Sequence, residues 1–349
     1  MPDGSLPLRS LRSAGDLAAT GLIPVDAVPV IQAVAARYAV SLTPHVASLI
    51  DAADPADPIA AQYVPHRAEL DTSSQELSDP IADGAHSPVK GVVHRYPDRA
   101  LLKPLLACPV YCRFCFRREQ VGPSGGVLSE AELDAALDWF AAAPGVQEAI
   151  LTGGDPLMLS PRRLARIVGR LSAMPHIRII RLHSRVPVAD PGRVTDVMAE
   201  ALETETALFL CVHANHAREF AEPARAALRR LNRAGVALLG QSVLLRGVND
   251  TAEALEALFR AMLAARVKPY YLHQLDRAPG TARFEVPIAE GRALLESLRG
   301  RVTGLAWPTY ALDLPEGQGK APIGPDFATR GDGGWQVRGP LGGGHWQAD

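Results

Sequence analysis

A chain of 349 residues, 47% of them apolar, can bury a core as one large α/β barrel-type domain or as two average domains. The formal charge of −2, with acidic and basic residues interleaved, gives no footprint for nucleic acid or an acidic membrane. No apolar run approaches bilayer length and the start, Met1-Pro-Asp-Gly, does not read as a signal peptide. Four cysteines, three of them clustered, are too few for a disulfide scaffold, so a reducing cytoplasm is the expected setting.

Residues 1–90 read as a polar, Pro-rich, irregular segment with one helix expected at Val28–Tyr38. Beyond them the rhythm changes. A strand at Ala100–Leu106 runs into the cysteines, and the capping box Ser129-Glu-Ala-Glu132 opens a helix to Ala143. Ala149–Thr152 reads as a strand, and Ser160-Pro161 caps a helix to about Ala173. Strands at Arg178–Leu182, Leu208–Val212, Ala237–Leu244 and Pro269–His273 then alternate with helices at about Gly192–Leu202, Ala224–Ala234, Thr251–Ala265 and Ala289–Arg299. Six β/α units with short connections imply a parallel sheet, and the span suits an incomplete (β/α)6 barrel over residues 91–304. Residues 305–349 are Gly- and Pro-rich and read as an ordered tail placed to close over the barrel mouth.

In such a barrel the functional side chains belong at the C-terminal ends of the strands, and polar clusters fall there six times. Cys108-Pro-Val-Tyr-Cys112-Arg-Phe-Cys115 follows the first strand, Gly153-Gly154-Asp155 the second and His183-Ser184-Arg185 the third. His213-Ala-Asn-His216 follows the fourth, Gln241 with Arg246-Gly247 the fifth, and His273-Gln274-Leu-Asp276 the sixth. Three thiolates at gaps of three and two residues can hold three corners of a 4Fe–4S cluster and leave one iron open. A zinc knuckle is the competing reading; it needs a fourth Cys or His, and none follows before His176. Cys211, inside an apolar run, reads as an inert core residue.

The cysteine loop after the first strand of a six-unit β/α chain resembles the radical S-adenosylmethionine (SAM) superfamily. That resemblance implies a cluster whose open iron chelates SAM, cleaved by one electron to a 5′-deoxyadenosyl radical. It places Gly153, Gly154 and Asp155 in the glycine-rich motif near the methionine amino group, where two glycines let the main chain come close. His213 and Gln241 sit where members of the superfamily contact SAM.

A closer resemblance, from about Leu42 to Pro325, is to the lysine 2,3-aminomutases. It rests on residues 87–99 (Ser-Pro-Val-Lys-Gly-Val-Val-His-Arg-Tyr-Pro-Asp-Arg), 111–118 (Tyr-Cys-Arg-Phe-Cys-Phe-Arg-Arg), 241–250 (Gln-Ser-Val-Leu-Leu-Arg-Gly-Val-Asn-Asp), 269–276 (Pro-Tyr-Tyr-Leu-His-Gln-Leu-Asp) and the tail Asp313-Leu-Pro-Glu-Gly-Gln-Gly-Lys320-Ala-Pro. It implies pyridoxal 5′-phosphate as a second cofactor, with Lys320 as the Schiff-base lysine and Arg95 and Arg99 as phosphate-binding arginines. It implies that Arg117 grips the substrate carboxylate and that Asp276 and Asp313 take the ε-ammonium of L-lysine, a pair that would repel a glutamate side chain. The implied reaction moves nitrogen from Cα to Cβ, giving β-lysine. An electron donor such as flavodoxin or ferredoxin, and a homo-oligomer, come with the family. Glu119 stands where longer members carry a basic residue, and compact members include the branch that makes β-lysine for elongation factor P. A non-catalytic metal-binding relative and a pyridoxal-independent radical enzyme are the competing classes; Lys320 argues against both.

Overall fold

A computed structural model describes residues 9–123, 125–339 and 343–348. Nine strands form one sheet in sequence order: β1 (Val92–Tyr96), β2 (Arg99–Leu105), β3 (Glu148–Gly153), β4 (Ile179–Ser184), β5 (Ala207–His213), β6 (Ala237–Val243), β7 (Lys268–His273), β8 (Thr309–Leu314) and β9 (Gly319–Pro322). The steps from β2 to β8 are all parallel, whereas β1 and β9 pair antiparallel at the two edges. The six expected strands are present. The sheet also takes up one strand ahead of them and two from the tail.

Period-two alternation decides which side chains face inward. Along β4, Ile180 and Leu182 are fully buried, facing the surrounding helices, while Ile179, Arg181 and His183 line the interior. Phe209 and His213 of β5 and Leu239, Gln241 and Val243 of β6 repeat the pattern. The outer apolar face packs on helices with legible starts. Ser129 caps Glu130–Ala141 through the reciprocal bond with Glu132, and Ser160 caps Pro161–Ser172. The helix expected at about Gly192–Leu202 is shorter. Pro191 and Gly192 sit in a single 3-10 turn, and Thr195 caps a new start at Asp196–Glu200.

The N-terminal segment holds the expected helix at Val28–Arg37 and three six-residue helices, Ala14–Ala19, Pro44–Leu49 and Pro58–Tyr63, which pack into a core of their own. That core includes Val110 of the cysteine loop, so the segment braces the loop. A small antiparallel sheet of β10 (Ala328–Gly331), β11 (Gly334–Arg338) and β12 (Gly344–Ala348) follows the barrel. Among the described residues no helix is long and apolar enough to cross a membrane.

The backbone ladder is not closed between β1 and β9, but a side chain bridges the gap. Tyr96, the last residue of β1, accepts the Lys320 amide N–H at its hydroxyl oxygen (2.8 Å). Gly319, at φ +102°, permits the approach: a Cβ there would stand 2.9 Å from that oxygen.

Candidate active site

One cavity of about 760 Å³ runs through the barrel, within the upper part of the roughly 300–1,000 Å³ usual for ligand sites. The three clustered cysteines, Arg117, Gly153, Gly154, Asp155, His213, Gln241, Asp276, Asp313, Lys320, Arg95 and Arg99 all line it. Residues from every strand of the nine-stranded sheet, from β1 to β9, therefore converge on one space.

At the upper end the cysteine loop is locked from two sides. A Cβ on Gly154 would lie 2.4 Å from the Ala107 carbonyl oxygen, so only glycine lets the two loops touch. The amides of Gly154 and Asp155 then donate to the carbonyls of Leu105 and Ala107 at 2.8 and 3.0 Å. The buried Asp155 carboxylate accepts from the Ser184 hydroxyl and from the amides of Leu157, Arg185 and Val186. Its side chain is fully engaged in tying β3 to β4. On the other side Arg113 and Arg118, flanking Cys115, both bond to Glu69 of the N-terminal segment, and all three are buried. Burial would raise the Glu69 carboxyl, but the adjacent Arg113 charge outweighs it and holds the group below its usual range.

Burial pushes all three loop thiols up, Cys112 to about 11, so the polypeptide alone keeps them protonated. Soft thiolate donors with no carboxylate among them suit iron–sulfur chemistry. Among the described residues no three Cys, His, Asp or Glu side chains are grouped to hold a single ion. A four-iron cluster holds its thiolates further apart than one ion does. Beside the loop Arg185, buried, donates to Tyr63 (2.7 Å) and Glu219 (3.0 Å).

Across the cavity, Asp313 and Lys320 are a cross-strand pair of β8 and β9, so both side chains point the same way. Lys320 Nζ donates to Asp313 and lies 3.2 Å from His273 Nδ1. Burial would raise the Asp313 carboxyl, but the adjoining His273 and the Lys320 charge hold it well below the carboxylate range. Asp276 behaves oppositely. Burial, reinforced by the neighbouring Asp313 charge, pushes its carboxyl up to about 7.

Sequence reading did not single out Asp83, which organises the remaining cations. Its buried carboxylate takes Arg117 Nε (2.8 Å), Arg95 Nη2 (3.1 Å) and Lys103 Nζ (3.3 Å). One carboxylate against three cations leaves excess positive charge beside the cavity. Arg117 thus spends its Nε on Asp83, and its terminal nitrogens have no hydrogen bond among the described residues. Arg99 opens β2 at the end of the barrel away from the cysteines, lies over the Tyr96 ring (3.6 Å) and bonds to Asp98 (2.7 Å). His213 and His183 face each other at 3.4 Å, and burial lowers both; His213 falls to about 3, so it stays neutral near pH 7. His216, Arg246 and Gln274 lie outside the cavity lining. His216 caps a turn, Arg246 pairs with Glu290 on the surface, and Gln274 bonds to Tyr310 and the Val286 carbonyl.

The Radical SAM superfamily model matches residues 102–260, from the first inward strand past the fifth. The L-lysine 2,3-aminomutase of Clostridium subterminale is 39% identical over 82% of this chain and 69% of its own length. The chain belongs to the lysine 2,3-aminomutase family. The Escherichia coli L-lysine 2,3-aminomutase is 39% identical over 77% of this chain and 79% of its own length. A glutamate 2,3-aminomutase from Clostridioides difficile is 33% identical over 85% and 70%. As a member of this family the chain is a radical SAM isomerase that uses a 4Fe–4S cluster and SAM.

Proposed function

We propose that this aminomutase acts on L-lysine, interconverting it with β-lysine, and that pyridoxal phosphate is its second cofactor. One observation carries the substrate reading: the carboxylate of Asp313, beside Asp276, already holds a primary alkylammonium, that of Lys320. The ε-ammonium of lysine is the same chemical group. Glutamate would bring a carboxylate to these two acids, and charges of like sign in a half-buried site repel strongly.

The second cofactor fits the donor set. Lys320 supplies a primary amine on a hairpin that Gly319 lets come close, and Arg95 and Arg99 on the cavity wall supply cations suited to a phosphate. When bound, the cluster with SAM supplies the hydrogen-abstracting radical, and pyridoxal phosphate supplies the carbonyl carbon that carries the migrating nitrogen. The polypeptide positions and shields. Cys108, Cys112 and Cys115 would hold the cluster, and the backbone of Gly153 and Gly154 would meet SAM, with His213 and Gln241 further along the wall. Arg117 orients the substrate carboxylate while Asp83 fixes its guanidinium. The barrel wall, bridged between its open edges by Tyr96, keeps water from reactive species. A one-electron donor such as flavodoxin or ferredoxin would reduce the cluster.

The test is anaerobic reconstitution with iron, sulfide and pyridoxal phosphate, followed by SAM, reductant and L-lysine, with product identified by mass spectrometry. β-Lysine is expected. An intact cluster that yields none from lysine but converts L-glutamate would replace lysine with glutamate as substrate. Borohydride should trap the cofactor on Lys320 and leave Lys320→Ala unlabelled.

A further inference from the structure

His273 has no part in the roles assigned so far, yet it is the side chain in closest touch with the reactive amine after Asp313. It is 5% exposed, at the end of β7. Its Nδ1 lies 3.2 Å from Lys320 Nζ and 3.4 Å from the Asp313 carboxylate. Its Nε2 is buried, and no described residue hydrogen-bonds to it. An ammonium on Lys320 can donate to Asp313 and to Nδ1 together, which assigns the imidazole proton to Nε2.

We propose that His273 is the proton acceptor that frees Lys320 to react with a carbonyl. This rests on the reading that Lys320 carries the second cofactor. An amine attacks carbon through its lone pair, so the ammonium must first lose a proton, and in this half-buried hairpin His273 Nδ1 is the neutral base already in contact with it. Nδ1 takes it along an existing contact, and the imidazolium then pairs with Asp313 through the same nitrogen. The number of charged groups stays at two and the net charge is unchanged. The free amine forms its C–N bond as the carbonyl C=O breaks. The oxygen leaves as water with the two protons still on nitrogen, and no electrons are exchanged. In the reverse sense, the released lysine recovers its proton from His273.

The groups around His273 suit that exchange. Burial, then the positive charge of Lys320, lowers His273, while Asp313 opposes them. Moving the proton abolishes the Lys320 charge and with it one of the two depressing influences. Tyr271 lies against the imidazole with ring centres 5.3 Å apart, and His183 and His213, both lowered by burial, add no positive charge near pH 7.

The test follows the rate at which pyridoxal phosphate attaches to Lys320 in the full-length, cluster-reconstituted protein, by absorbance and by borohydride fixation with peptide mapping. With an internal acceptor the rate is expected to change little between pH 7 and 9. His273→Asn keeps an acceptor oxygen near the Nδ1 position but cannot carry a proton. Its rate should be about 100-fold lower at pH 7, at the low end of acid–base contributions, and climb about tenfold per pH unit. Unchanged iron content in the variant shows that the fold is kept. A wild-type rate that itself climbs tenfold per pH unit, or a His273→Asn profile that overlays wild type, overturns the proposal. Absence of any adduct on Lys320 in wild type overturns the cofactor reading and this proposal with it.

Discussion

Lysine binding should expel protons from this enzyme below pH 7, and the Asp276 carboxyl is the reason. Burial and the Asp313 charge hold that group at about 7 instead of its ordinary 3.8, so about half the free molecules carry a neutral Asp276 at pH 7. An incoming ammonium favours the ionised form, so binding selects molecules that have lost the proton. For a group titrating near 7, the ionised fraction rises about tenfold between pH 6 and 8, which corresponds to about 1.4 kcal/mol. The substrate's ammonium, titrating at roughly 10.4, stays charged throughout, and Asp313 stays ionised because its carboxyl is held low. The dissociation constant for L-lysine should therefore be about tenfold weaker at pH 6 than at pH 8. Calorimetry in two buffers of different ionisation enthalpy should record release of about half a proton at pH 7. Asp276→Asn should bind more weakly and with a flat pH profile. A wild-type dissociation constant that is the same at pH 6 and 8, or proton uptake on binding, would refute the assignment of Asp276 to the substrate ammonium.

Three further outcomes follow from the geometry. Glu69→Gln leaves Arg113 and Arg118 buried without a countercharge and should cost about 3–5 kcal/mol in urea unfolding of the metal-free protein; a loss below 1 kcal/mol would show that the pair is better solvated than its burial implies. Gly154→Ala drives a methyl into the Ala107 backbone, so reconstituted protein should hold much less iron per chain than wild type. Normal iron content with normal electron paramagnetic resonance would count against the close-approach argument. Arg117→Lys keeps the charge but loses the fork, and should raise KM for lysine by roughly 10–100-fold with pyridoxal phosphate content unchanged.

The inward strands were legible because a barrel strand has two different faces and so writes its alternation into the sequence. Helix starts at Ser129 and Ser160 were legible because capping is local chemistry between residues three apart. The helices Ala14–Ala19, Pro44–Leu49 and Pro58–Tyr63 span six residues each, too few for a periodic pattern to emerge. β1 and β9 escaped detection because edge strands need little apolar alternation. Asp83 was invisible for another reason: it comes from an irregular stretch, and its importance lies in three cations that reach it from β1, β2 and the cysteine loop. Sequence could place Asp155 beside the glycines but could not reveal that four donors saturate its carboxylate. It could likewise list Arg246 among the strand-end clusters without showing that its partner is Glu290 on the surface.

The pairing of Asp313 with Lys320 has an implication for how this barrel tolerates change. In a four-residue strand the side-chain period is two, so a slip of one residue against β8 would turn the Lys320 amine out of the cavity and leave the rest of the barrel standing. The turn between the strands, with Glu316 and Gly317 both at positive φ, sets the count of residues, and the Tyr96 hydroxyl pins the amide of Lys320 from the opposite edge. A single insertion in that turn would thus produce a folded, cluster-bearing protein with its lysine facing solvent. The length of one tight turn is as much a determinant of the chemistry as the lysine itself.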